Sequence, residues 1–188
     1  KTYTGEGERI DTPTMMEGVR NVHCVAVGAT HMACVDNEGH VWTCGHNNYY
    51  QLGIGDLEKK FYDSFHRVES LENVKSVACS RRSTLCLLDD GTVYGFGDND
   101  YSELGVGDQR DIKEPTQMQD VKDIVSVACG TACCILLDSH GDVYVCGYNE
   151  EGNLGLGDNT NRDTPEKNPF LSDIVQIACA WDLSLIHI

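Results

Sequence analysis

A chain of 188 residues, 40% hydrophobic and 23% charged, is long enough to bury the core of one good-sized domain or two small ones. Thirty acidic against 14 basic side chains leave a formal net charge of -16, which repels phosphate backbones, excludes direct nucleic-acid binding without a local basic patch, and suits a basic protein partner. No apolar stretch approaches the roughly 20 residues of a membrane span, and Lys1 to Arg9 is too polar for a signal sequence, so we expect no membrane association and an intracellular location, cytoplasmic or nuclear.

The chain opens on residues 1–21, where Gly5-Glu6-Gly7 and Pro13 read as the end of a preceding repeat unit. The first full unit, 22–73, starts with Val25-Ala26-Val27-Gly28, turns at Ala29-Thr30-His31, and continues through Gly39, Val41-Trp42, Gly45 and Asn47 to Leu52-Gly53-Ile54-Gly55-Asp56. Its second half carries a two-residue insertion around Leu57 to Phe65, and Lys59-Lys60-Phe61-Tyr62 there is a second exposed contact candidate, expected rather as a solvated loop. The second unit, 74–123, repeats the landmarks as Val77-Ala78-Cys79-Ser80, Gly91, Val93-Tyr94, Gly97, Asn99 and Leu104-Gly105-Val106-Gly107-Asp108. The third, 124–173, gives the clearest strands: Ile124 to Cys129, Cys133 to Leu137 and Val143 to Cys146, with Asp138 to Gly141 as turn chemistry. A weaker fourth strand lies near Pro165, matched by Pro115 and Pro13, and proline suits an edge. Residues 174–188 begin another unit with Ile177-Ala178-Cys179-Ala180.

Four short antiparallel strands in a unit of about 50 residues, repeated with a glycine-punctuated signature, predict an all-β fold, a β-propeller of four-stranded blades. Asp-x-x-Gly-x-Val-Tyr-x-x-Gly-x-Asn followed by Leu-Gly-x-Gly-Asp, best seen from Asp138 to Asp158, resembles the RCC1 (regulator of chromosome condensation) repeat. The likeness covers nearly the whole chain. It departs where that family often shows Gly-x-x-His, since only Gly28 to His31 keeps the pattern, and where Cys44, Phe96 and Cys146 stand in place of Trp. The resemblance implies a ring of about seven blades, so about three complete repeats are expected to belong to a larger protein, or to a ring completed by a second chain as a homo-oligomer.

The ten cysteines fall largely on repeat positions: Cys79, Cys129 and Cys179 on one, Cys34 and Cys86 on another, Cys44 and Cys146 on a third. That spacing predicts small buried hydrophobes rather than a metal or redox site. The Gly-x-Gly-Asp loops lack the ligands of a calcium loop and the Lys-Ser/Thr of a phosphate loop, and the scattered histidines offer no nucleophile constellation. No cofactor, no metal and no enzymatic activity are expected.

Recognition is expected where equivalent loops differ. In a four-stranded meander the turn between strands one and two shares a face with the loop between strands three and four. There the chain places Arg81, Arg82, Trp181, Tyr49 and Tyr101, residue types that dominate binding hot spots, with Asp182 beside Trp181 as a further candidate partner contact. The same residues can instead brace their own loops or pair with acids. RCC1-type propellers serve partner recognition, scaffolding and nucleotide exchange, so the resemblance implies a protein-protein interaction module, with a guanine-nucleotide exchange factor for a small GTPase as the alternative.

Overall fold

The computed structural model describes residues 17–55, 58–107, 110–180 and 183–187. Three four-stranded antiparallel sheets follow one another along the chain, and a two-stranded sheet closes the series. The first sheet holds β1 (Val22–Val27), β2 (His31–Asp36), β3 (Val41–His46) and β4 (Phe61–Arg67). The second holds β5 (Val74–Cys79), β6 (Ser83–Leu88), β7 (Val93–Gly97) and β8 (Ile112–Gln117). The third holds β9 (Ile124–Cys129), β10 (Cys133–Asp138), β11 (Val143–Gly147) and β12 (Arg162–Lys167), and β13 (Gln176–Ala180) pairs with β14 (Leu183–His187). These are propeller blades, as the repeat predicts. Among the described residues no helix is long and apolar enough to cross a membrane.

Blades stack face to face, so their cores lie between sheets. Ala33, Val35 and Val41 of the first blade meet Val77, Cys86 and Phe96 of the second. Leu85, Leu87 and Val93 then face Cys134, Leu136 and Cys146 of the third. Cys133, Ile135 and Leu137 point the other way, towards Ile174 and Ile177. The alternation of a strand explains how Cys133 and Cys134 serve two different cores. Because β10 is covered on both sides, it is a continuous apolar run from Cys133 to Leu137, and all its residues, the closing Asp138 included, are buried.

The first strands β1, β5, β9 and β13 contact each other in succession and line the inner side of the arc, while β4, β8 and β12 are outermost. Pro115 and Pro165 sit in β8 and β12, where the missing N–H costs no second ladder. Val77 of β5 is 7% exposed, whereas the equivalent Val25 of β1 is 71% exposed. The difference arises because β5 rests against β1 and β2, and among the described residues no strand covers β1 in the same way.

One expectation is corrected. Phe61 and Tyr62 do not belong to a solvated loop: they open β4, and Tyr62 is buried opposite Gly45 with its ring edge-on to His66. The insertion lengthens the loop ahead of the strand and leaves the strand intact. Lys59 and Lys60 are exposed, as read. Pro13, Trp181 and Asp182 lie outside the described residues.

Candidate functional site

Each blade ties its first turn to the end of its third strand by one backbone hydrogen bond. His46 N donates to Thr30 O at 2.9 Å, Asp98 N to Arg82 O at 3.1 Å and Tyr148 N to Ala132 O at 2.9 Å. The approach requires glycine just before the donor. Gly97 has φ +116°, and a Cβ there would stand 2.5 Å from Arg82 O. This repeated contact is why the two loop families share one face.

The loop after the third strand is fixed from within. Asn47, Asn99 and Asn149 are fully buried, and their side-chain oxygens accept from Leu52 N at 3.1 Å, Leu104 N at 2.9 Å and Leu154 N at 2.9 Å. Inside that loop Gln51 Oε1 accepts from Tyr49 N at 2.9 Å, and Glu103 Oε2 accepts from Tyr101 N at 3.2 Å. Burial pushes the Glu103 carboxyl up to about 8 against the pull of its backbone hydrogen bonds, with the charges of Asp98 and Asp100 adding to the rise. At neutral pH it is a neutral acid in a place where a neighbouring blade has the amide of Gln51.

On this framework Arg82 spans two blades. Its guanidinium lies 4.2 Å from the centre of the Tyr49 ring and 3.5 Å from Asp98 Oδ2. Asp98, Asp100 and Asp111 bring carboxylate oxygens within 4.8 Å of one another, and burial, followed by the other two charges, raises Asp111. Arg81 is exposed and points elsewhere. It borders a groove of about 220 Å³ together with Tyr101, Thr131, Ala132, Tyr148 and Asn153. Tyr101 and Tyr148 meet edge to face, with centroids 5.3 Å apart. Arg81 also borders a second groove of about 310 Å³ along the inner strands, walled by Val27, Cys79, Cys129 and Cys179.

The sequence-predicted residues therefore separate into two groups. Tyr49 and Arg82 form one contact, Arg81 and Tyr101 line one groove, and Trp181 and Asp182 lie outside the described residues. Tyr148 and Asp98 are residues that the sequence reading missed. Both occupy the position after the recurring glycine of the repeat (Gly45, Gly97, Gly147), where His46, Asp98 and Tyr148 all differ.

The remaining polar chemistry is structural. Thr84 Oγ1 donates its only hydrogen to Gln51 O at 2.9 Å, so His31 Nε2, 2.9 Å from Thr84 Oγ1, must be the donor of that bond. The pair is buried and joins the first blade to the second. Burial holds His31 neutral, with its pKa down at about 4. None of the ten cysteines is in a disulfide, and burial pushes Cys34 up to about 11 and Cys44 and Cys79 up to about 12, away from thiolate chemistry.

Comparison with known proteins gives a consistent result. The family model described as the regulator of chromosome condensation (RCC1) repeat matches residues 38–87, 90–137 and 140–186, and a second RCC1 repeat model matches 22–51 and 74–103. The chain is 37% identical over 122 residues to the human E3 ubiquitin-protein ligase HERC2, covering 61% of this chain and 2% of that protein. The structure superposes on human WBSCR16 with a TM-score of 0.80 and 25% identity, covering 91% of this chain and 48% of that one. For Prp20p from Saccharomyces cerevisiae, a protein studied for binding to Gsp1p and histones, the TM-score is 0.77 at 24% identity, with 87% and 43% covered. At that identity the likeness is one of fold. The chain spans less than half the length of each of these three proteins.

Proposed function

We propose that this chain, which belongs to the regulator of chromosome condensation (RCC1) repeat family, is a protein-interaction module that presents the first turns and third-strand loops of successive blades to a partner protein. Units 22–73, 74–123 and 124–173 act as its blades. One observation carries the reading: Arg81, Tyr101 and Tyr148, drawn from two blades, converge on one groove at the shared face. Arginine and tyrosine are the side chains that most often anchor interfaces, and here they stand on loops held rigid by buried asparagines, which limits the ordering cost of binding. The excess of acid over base across the chain favours association with a basic surface. The role is non-catalytic.

The test is affinity capture from a cell extract with the wild-type chain and with the double variant Arg81→Glu/Tyr101→Ala, followed by quantitative mass spectrometry. Proteins retained by the wild type should fall about tenfold or more with the variant. Retention of the same proteins at the same level would place the interaction on another surface.

Guanine-nucleotide exchange on a small GTPase is the second reading. One relative, 35% identical over 88 residues and spanned only to 9% of its length, is the mouse X-linked retinitis pigmentosa GTPase regulator. An exchange factor binds the nucleotide-free GTPase in preference to the loaded form. Equal capture of both forms favours the interaction module.

A further inference from the structure

The two adjacent arginines of the second blade are in different chemical states. Arg82 is engaged on both sides, by the Tyr49 ring and by Asp98. Arg81 is exposed, and among the described residues no carboxylate lies within ion-pair distance of its guanidinium. A free guanidinium brings five hydrogen-bond donors in a planar fork that matches a carboxylate.

Its surroundings complete the site. To one side lies the groove bounded by Tyr101, Tyr148 and Ala132; to the other lies the inner-strand groove, whose walls are Val27, Cys79, Cys129 and Cys179. Two thiols on that wall are held neutral: burial pushes Cys79 up and raises Cys129 well above the ordinary thiol value. Among the described residues Arg81 is thus the one charged side chain lining both depressions, one faced by two tyrosine rings and the other mainly by apolar side chains and thiols. At the equivalent position the first and third blades have Ala29 and Thr131, so neither adds a competing charge. Among the described residues no carboxylate lines the Tyr101/Tyr148 groove; Glu150 and Glu151 act on the phenol of Tyr148. Among the same described residues Arg81 is the one charged side chain lining that groove, so an incoming carboxylate pairs at its Arg81 end.

From this geometry we infer that Arg81 is the docking point for an acidic side chain of the partner protein, carried in a short segment whose flanking apolar side chains occupy the grooves on either side. The inference rests on the interaction-module reading and makes it specific. Although the chain as a whole favours a basic partner, the contact that fixes register is an aspartate or glutamate of that partner, paired with Arg81. Long-range attraction and local recognition then use opposite signs, and a partner with uniformly basic character binds without a fixed register.

The experiment is selection from a random-peptide phage library on three forms of the 188-residue chain: wild type, Arg81→Glu, and Tyr101→Ala/Tyr148→Ala. Circular dichroism is recorded on each to show that the fold is kept; Arg81 is exposed and its replacement leaves both grooves in place. The wild type should enrich peptides with Asp or Glu between apolar residues. These peptides should lose about tenfold or more in affinity on Arg81→Glu, which should itself enrich peptides with Lys or Arg at the same place.

Two results overturn the inference and are distinct from each other. If wild-type peptides lack an acid and bind Arg81→Glu unchanged but are lost on Tyr101→Ala/Tyr148→Ala, the carboxylate anchor is wrong and the interaction face stands. If the peptides bind all three forms alike, or none is enriched, the face itself is not the binding surface and both readings fall.

Discussion

The guanidinium of Arg82 stands 4.2 Å over the ring of Tyr49, so that the first turn of the second blade clasps the third-strand loop of the first. With Asp98 on its other side at 3.5 Å, Arg82 works as a brace between blades, in contrast to Arg81 one residue earlier. Arg82→Ala should therefore lower stability in urea unfolding by about 1 kcal/mol, the scale of a partly exposed cation–π contact with a weak ion pair. Arg81→Ala should leave stability within about 0.5 kcal/mol. Equal losses from the two would remove the distinction.

Glu103 makes stability depend on pH. Its pKa in the folded chain, about 8, lies above the ordinary value of 4.5, so the folded form keeps a proton that the unfolded form releases. The contribution is complete below about pH 4.5, declines as pH rises and is gone above about pH 8. Glu103→Gln, which copies the chemistry of Gln51, should flatten this decline and raise stability at pH 8 by about 1–3 kcal/mol. Thermal melts at pH 5, 6.5 and 8 read this directly, and an unchanged slope would show that Glu103 is ionised when folded.

Much of this arrangement was legible in the chain before its structure. Gly97, Asn99 and Leu104 recur at fixed spacing because each performs the same backbone task in every blade, and a task set by backbone geometry leaves its mark at every copy. The grouping of Tyr49 with Arg82 followed from the meander alone. The fate of Phe61 and Tyr62 did not, because their lysine-rich lead-in reads as loop, and what buries Tyr62 is the space opposite Gly45 on a neighbouring strand. The different states of Arg81 and Arg82 were equally hidden: the two are identical in sequence terms and differ only in where Asp98 and Tyr49 stand. Tyr148 left a signal, as the odd aromatic at a position shared with His46 and Asp98.

His31 has the opposite pH behaviour to Glu103. Its pKa falls from 6.5 to about 4 on folding, so the unfolded chain accepts a proton that the folded chain refuses. Stability from this group is complete above about pH 6.5 and is lost as pH falls towards about 4. His31→Gln keeps a donor for Thr84 and has nothing to protonate. Its unfolding free energy should decline less between these pH values than that of the wild type; the same decline in both would assign the acid sensitivity to other groups.

The buried asparagines define the loop shape. Replacing Asn99 by alanine removes the acceptor of Leu104 N at 2.9 Å in a fully buried place and should cost about 1–3 kcal/mol. Because that loop carries Tyr101, peptide affinity at the Arg81 groove should fall as well. Stability lost without any loss of affinity would show that the loop does not position Tyr101 for binding.

Hydrogen–deuterium exchange of the chain with and without a captured partner tests the central claim most directly. The account predicts protection at the shared face, in residues 80–83, 98–103, 130–133 and 148–153, with little change at the opposite turns 36–40, 88–92 and 138–142. Protection confined to those opposite turns would contradict it and move the interaction to the other side of the blades.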